Sequence, residues 1–248
     1  MFARCLVLLS LSIVAGTGCE DSTGNPVDGY QPIDEIESGS PPPDYDGAYL
    51  DPDNVFELWR SPVRGNPDAL VTIIGFEEFN CPSCKAAQPT LHTLLDDNEG
   101  DVRFFFKHFP LASFSEAYPS ARAARAALRQ DAFWPYHDLL FEHQETLSDA
   151  QYTVFAETLS LDLDAFEHDR NDNEIHNEVL ADQALGQRLN VIKTPTFFVN
   201  GARVVGGNHD VLQQLIDEEL DAMQTLIDDG HTPSEALGLR IAINLDQN

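Results

Sequence analysis

Basic residues are scarce in this chain. Its 248 residues include 14 Lys+Arg against 42 Asp+Glu, a formal charge of −28. The only lysines are Lys85, Lys107 and Lys193. A field of that sign repels phosphates and argues against a nucleic-acid partner. It fits a solvated acidic surface that serves solubility, in a habitat salty enough to screen the repulsion, or else a surface that attracts a basic partner. Long hydrophobic runs are missing too: the apolar stretch Leu6–Ala15 is too short to span a bilayer. No internal repeat is visible, and no G-x-S-x-G element supports a Ser-His-Asp hydrolase. Cysteine is limited to Cys5, Cys19, Cys81 and Cys84. What remains is ordinary: 42% hydrophobic residues, enough for one sizeable domain with a real core.

The N-terminus reads MFARCLVLLSLSIVAGTGCEDS. Arg4 supplies a charged start, and Leu6–Ala15 suits a secretory signal. The small residues AGTGC before Cys19 resemble the lipobox of bacterial lipoproteins, although Gly16 stands where an aliphatic residue is usual. The expectation is a signal peptide over 1–18 and a lipidated Cys19 that holds the protein to a membrane. Simple cleavage with release, and an uncleaved anchor, are the alternatives. Residues 19–54, rich in Asp, Glu, Pro, Gly and Ser, read as a disordered acidic tether, stiffened locally at Pro41–Pro43.

With Cys5 removed and Cys19 lipidated, Cys81 and Cys84 can pair only with each other. They stand in GFEEFNCPSCKAAQPTL as a C-x-x-C, open at first sight to three uses: a redox pair, half a zinc site or a structural disulfide. A disulfide closing so small a loop would add little stability by chain entropy, which disfavours the last.

ALVTIIGFEEF reads as a buried strand, PSCKAAQPTLHTLLDDNEG as a helix with Pro82 at its first position and Pro89 inside it, and DVRFFFKHFPL as a second, parallel strand. Residues 113–190 read as almost wholly helical, with the aromatic stripe of DAFWPYHDLLFEHQ as core packing and Ser148 as an N-cap. TPTFFVNGARVV reads as a hairpin turning at Asn200-Gly201, and NHDVLQQLIDEELDAMQTLIDDG as an amphipathic helix. No chemistry is legible in the tail 231–248, where Pro233 and Ser234 could open one more short helix.

The strand before the cysteines and the helix after them favour redox chemistry. At a helix N-terminus the unpaired N–H groups and the macrodipole stabilise a thiolate. Cys81, at the exposed start, is then the attacking or leaving sulfur, and Cys84, one turn in, the buried resolving one. Lys85 adjoins them as a solvated lysine.

These motifs resemble the DsbA-like branch of the thioredoxin superfamily, bacterial cell-envelope thiol:disulfide oxidoreductases. SPVRGNPDALVTIIGFEEFNCPSC, VRFFFKHFPL, AFWPYHDLLFEHQ and KTPTFFVNG carry the resemblance, in the family's order, over most of residues 60–220. It implies an α/β thioredoxin fold split into 55–112 and 191–230 around a helical domain inserted at 113–190. It also implies a redox-active Cys81–Cys84 disulfide, Pro82 and Ser83 between the cysteines, and a cis Thr194-Pro195 bond facing them. That cis bond would leave the Thr194 backbone free to pair with an extended substrate and would keep a metal from bridging the sulfurs. Relatives often carry a buried carboxylate six residues before the first cysteine; here that residue is Gly75, with Glu77 and Glu78 closer by. Lacking the histidine of the strongest oxidants between its cysteines, the pair is expected to have a less acidic Cys81 and a less oxidising disulfide.

The implied activity is disulfide exchange with cysteine-containing exported proteins, as a dithiol oxidase on the periplasmic side of the envelope, with a separate redox partner to reset the pair and no cofactor. A reductase or isomerase would use the same cysteines in other directions. A thioredoxin-fold lipoprotein that binds unfolded chains or a partner is the rival from a different class. A zinc site built from Cys81, Cys84, His137 and His143 has the wrong spacing, and the two histidines fall in an aromatic core segment.

Overall fold

The computed structural model describes residues 55–248. The run Val71–Glu77 forms strand β2, buried at every position. Burial on both faces requires the near-continuous apolar, β-branched and aromatic sequence seen there. Its parallel neighbour is β3, Val102–His108, reached through helix α1, Pro82–Asp97. On its other side β2 pairs antiparallel with β4, Thr196–Val199, which continues through a hairpin into β5, Ala202–Val205. A short edge strand, β1 at Val63–Gly65, pairs antiparallel with β3. The sheet order is β1-β3-β2-β4-β5.

Side-chain alternation along β2 divides the core in two. Val71 and Ile73 join Phe104, Phe106, Phe197 and α1 in one cluster, which also holds Cys81 and Cys84. Ile74 and Phe76 join Phe105, Phe109 and Phe198 in the other. The hairpin turns at Asn200 and Gly201, both at positive φ (42° and 92°), as a two-residue primed turn requires.

Five helices lie between β3 and β4: α2 Ala117–Leu128, α3 Phe133–Glu142, α4 Asp149–Thr158, α5 Leu163–Arg170 and α6 Asn173–Arg188. The expected aromatic stripe is core: Phe133, Tyr136, His137, Leu140 and Phe141 are all buried. Ser148 stands at the N-cap of α4 but makes no side-chain cap bond. These helices are tied to the sheet by a buried ionic cluster. Asp182 of α6 binds the Lys107 ammonium at 2.9 Å, the Arg125 guanidinium of α2 at 3.2 Å and the backbone N–H of His108 at 3.2 Å. Lys107 also donates to the Glu57 carbonyl at 2.8 Å, and Arg125 to the Arg60 carbonyl. Burial alone would raise Asp182, but Lys107 and Arg125 outweigh it and hold the carboxyl at about 2.

After β5 comes α7, His209–Asp228, ending near Gly230 at positive φ. The tail is more ordered than its sequence suggests. Pro233–Asp246 forms α8, fourteen residues opened by a full Thr232/Glu235 capping box. It docks through Ile241 on the hairpin turn, through Arg240 on the buried Glu219 (2.6 Å), and through Asn244 on the Asn200 carbonyl (3.0 Å). No helix among the described residues is long and apolar enough to cross a membrane.

Candidate active site

The site forms where β2 runs into α1. Cys81 is the N-cap of α1, with extended backbone (φ −76°, ψ 117°) and no side-chain capping bond of its own. Pro82 takes the first helical position, where its missing N–H costs nothing. The Cys81 carbonyl accepts from the N–H of Cys84 (3.0 Å) and of Lys85 (3.2 Å), which places Cys84 one turn in. Both cysteines are free thiols, so the structure is that of the dithiol form. Pro82 and Ser83 are exposed, while Cys84 is fully buried.

Cys81 departs from the expectation of an exposed sulfur: only 7% of it is accessible. The cover is the loop before β4. The Thr194-Pro195 bond is cis, and the Thr194 carbonyl lies 3.4 Å from the Cys81 sulfur and accepts its S–H. Thr194 is itself buried, with its hydroxyl free of partners. The next residues outward, Ile192 and Lys193, are exposed, Ile192 to 79%.

The two thiols are driven apart in acidity. A hydrogen bond from the Cys84 thiol is the largest influence on Cys81; burial opposes it, and Thr194 with the backbone N–H groups of Cys84 and Ser83 adds to it. The Cys81 thiol falls to about 5. Burial pushes the Cys84 thiol far up, helped by Cys81 and by the charge of Glu77.

Two carboxyl groups sit beneath the pair. Glu77 and Glu78 are both buried. Burial raises Glu77 to about 8, against the lowering effect of a 2.7 Å hydrogen bond from the Gln88 amide. The same amide donates to the Cys84 carbonyl at 3.0 Å, and the second Glu77 oxygen, Oε1, has no partner. Burial raises Glu78 to about 7; one of its oxygens accepts from the N–H of Asn80 at 2.7 Å.

Gly75 lacks the room that a carboxylate would need. A Cβ there would meet the Phe104 and Phe197 rings at 2.7 and 2.9 Å. Glu77, two residues on, shares the same face of β2 and lies one pleat nearer the cysteines. The alternation could have indicated this from sequence. Gln88, one turn after Cys84, was readable from helical spacing as well. Gln144 was not: its amide reaches the Phe79 carbonyl (2.6 Å) and the Cys81 carbonyl (3.0 Å) from more than sixty residues away. Lys85 is partly exposed and donates to the Glu142 carbonyl at 3.2 Å.

His137 is enclosed by rings, 5.7 Å from Phe79, 5.3 Å from Phe106 and 4.9 Å from Phe141, and hydrogen-bonds Asp138 at 2.8 Å. His143 packs on Phe155. Neither joins the cysteines, and no group of three His, Cys, Asp or Glu among the described residues is placed to hold a metal. Cys19 and the tether lie outside the described residues.

An acidic thiol capping a helix, a buried thiol one turn in and a cis-proline loop opposite therefore meet at a strand–helix junction. A family model described as Thioredoxin matches residues 59–228, more than half of the chain. The chain belongs to the thioredoxin family.

Within this family it is DsbA-like, with a helical insertion between β3 and β4. A thioredoxin-like oxidoreductase from Silicibacter pomeroyi superposes with a TM-score of 0.61 at 28% identity, covering 68% of this chain and 98% of that one. The thiol-disulfide exchange protein alpha-DsbA2 from Wolbachia pipientis shares the fold, with a TM-score of 0.61 at 23% identity over 67% of this chain and 90% of that one. In sequence, the chain is 40% identical over 155 residues to a Na(+)/H(+) antiporter, NhaA 3, of Salinispora tropica. That match takes in 62% of this chain but only 23% of the antiporter, so this thioredoxin-family chain spans under a quarter of the length of that relative.

Proposed function

We propose that the protein is a thiol:disulfide oxidoreductase of the cell envelope that acts on cysteine-containing exported proteins, chiefly as a dithiol oxidase. The observation that carries this reading is the opposed acidity of two adjoining thiols, Cys81 at about 5 and Cys84 driven far up, under the Thr194-Pro195 loop. Pro82 and Ser83 border the sulfur on the open side, and the Thr194 backbone offers an extended substrate segment a place to pair.

In the oxidising direction the enzyme begins with a Cys81–Cys84 disulfide. A substrate thiolate attacks the Cys81 sulfur, and a substrate–Cys81 mixed disulfide forms as the Cys84 thiolate leaves. Cys84 holds a proton at neutral pH, so that thiolate must be protonated. Glu77 is the donor: its carboxyl is still protonated below about 8, it is buried beside Cys84, and its Oε1 is uncommitted. A second substrate thiolate then attacks the substrate sulfur and releases the Cys81 thiolate, a stable leaving group. Two substrate thiols become one disulfide, and the enzyme carries away both electrons. Re-oxidation falls to a separate redox partner. In the reverse direction Glu77, once ionised, accepts the Cys84 proton.

Export and a lipid anchor at Cys19 belong to the same proposal and rest on the N-terminal sequence. Redox titration of the soluble domain against glutathione tests the direction. A potential at or above the poise of the envelope is expected; one clearly below it would make the protein a reductase. Retention of activity after replacement of both cysteines would instead favour a chain-binding module.

A further inference from the structure

We propose that Gln144 is a positioning residue through which the helical insertion holds the catalytic turn in its reactive shape. The inference rests on the reading that Cys81 is the attacking and leaving sulfur.

The first turn of α1 has no capping side chain of its own. The turn before it is closed from within by Glu78, whose carbonyl accepts from the Cys81 N–H at 3.1 Å and whose carboxylate accepts from the Asn80 N–H. From outside, a single amide grips it. Gln144 stands in the short 3₁₀ turn Gln144–Thr146 that follows α3, and is 94% buried. Its NH₂ group donates to the Phe79 carbonyl at 2.6 Å and to the Cys81 carbonyl at 3.0 Å, on either side of Asn80. Two carbonyl acceptors settle which end of the amide faces the turn. The Phe79 ring is held by the insertion as well, tilted against Phe141 at 5.1 Å and edge-on to His137 at 5.7 Å.

The consequence reaches the sulfur because the Cys81 carbonyl is also the anchor for the Cys84 and Lys85 N–H groups. With Gln144 gone, the buried Phe79 carbonyl loses its donor while the Cys81 carbonyl keeps only the N–H groups of Cys84 and Lys85, and the turn shifts to bring the Phe79 carbonyl a new partner. The N–H groups of Ser83 and Cys84, which stabilise the Cys81 thiolate, move with it. The effect of Gln144 on chemistry is thus indirect: it touches neither sulfur nor substrate.

The test is the Gln144→Met variant of the whole chain, which keeps side-chain length and loses the donors. Its Cys81 thiolate is titrated by ultraviolet absorbance and by the rate of alkylation, alongside the wild type. A Phe166→Leu variant, altered in the insertion core away from the cysteines, serves as the control for lost stability. The expected result is an upward shift of the Cys81 pKa by about one unit, a tenfold loss of thiolate at low pH, with Phe166→Leu unchanged. An unchanged Cys81 in Gln144→Met, or an equal shift in Phe166→Leu, overturns the proposal. If the methionine variant does not fold, Gln144→Asn, whose amide is drawn back by one methylene, is read in the same way and shifts in the same direction. The titration reports on Gln144 whether or not the wild type exchanges disulfides, so failure of the oxidoreductase reading shows separately, as an inert wild type.

Discussion

A buried glutamate with one uncommitted oxygen is costly to ionise, and Glu77 therefore leaves a mark on both catalysis and stability. Its carboxyl stays protonated in the folded dithiol up to about 8 but ionises near 4.5 when the chain unfolds. Between those values the folded state binds the extra proton. The stability associated with Glu77 is thus complete below pH ~4.5 and is lost as pH rises through ~8, by at most about 5 kcal/mol. Denaturation of Glu77→Gln across this window is expected to show a shallower fall with pH than the parent; equal slopes would mean that Glu77 ionises freely. The same variant is expected to slow the steps in which Cys84 gains or loses its proton by about 100-fold near neutral pH, with Cys81 alkylation unaffected. Cys81 has the opposite sign. Its depressed pKa stabilises the folded dithiol above the ordinary thiol value, an advantage lost as pH falls through about 5.

At the scale of elements, β2, α1 and β3 were readable because each carries a strong local signal: an unbroken apolar run, a proline at the first helical turn, a glycine after the last. The hairpin was readable from Asn200-Gly201. Strand β1 was not, since Val63–Gly65 has no apolar run and owes its form to pairing with β3. Helix α8 was under-read, although Thr232 and Glu235 spell a capping box. In the site, the identities of Cys81 and Cys84 were legible, and the resemblance already placed a cis Thr194-Pro195 loop opposite them. How closely the Thr194 carbonyl covers the Cys81 sulfur was not, because it comes from 113 residues away. The ionic tie between insertion and sheet was equally hidden. Asp182→Ala would leave the buried Lys107 without a carboxylate and Arg125 with only Glu178 at 3.6 Å, a loss of about 3–5 kcal/mol. Thermal or urea unfolding measures it, and a loss under 1 kcal/mol would show that solvent reaches the cluster. Because Asp182 is depressed, its contribution is full above pH ~4 and disappears as pH falls to about 2.

At the scale of the molecule, the charge of −28 belongs to a chain whose few cations are largely committed to carboxylates, among them Arg64, Arg129, Arg170 and Arg240. Lys193 and Lys85, beside the cysteines, form no ion pair with the described residues. The N-terminal reading has a direct check. Cys19→Ser is expected to move the protein from the membrane to the soluble fraction, with exchange activity per molecule unchanged; continued membrane attachment would point to an uncleaved anchor. The lid over Cys81 carries a further consequence, for timing. A sulfur so nearly covered is poorly placed to meet the convex face of a finished globule; on the proposed function a slack strand threaded along Thr194 would reach it. As substrates of the proposed oxidase, client proteins are expected to be oxidised early, as they emerge from translocation, and a folded client with its thiols already packed away arrives too late.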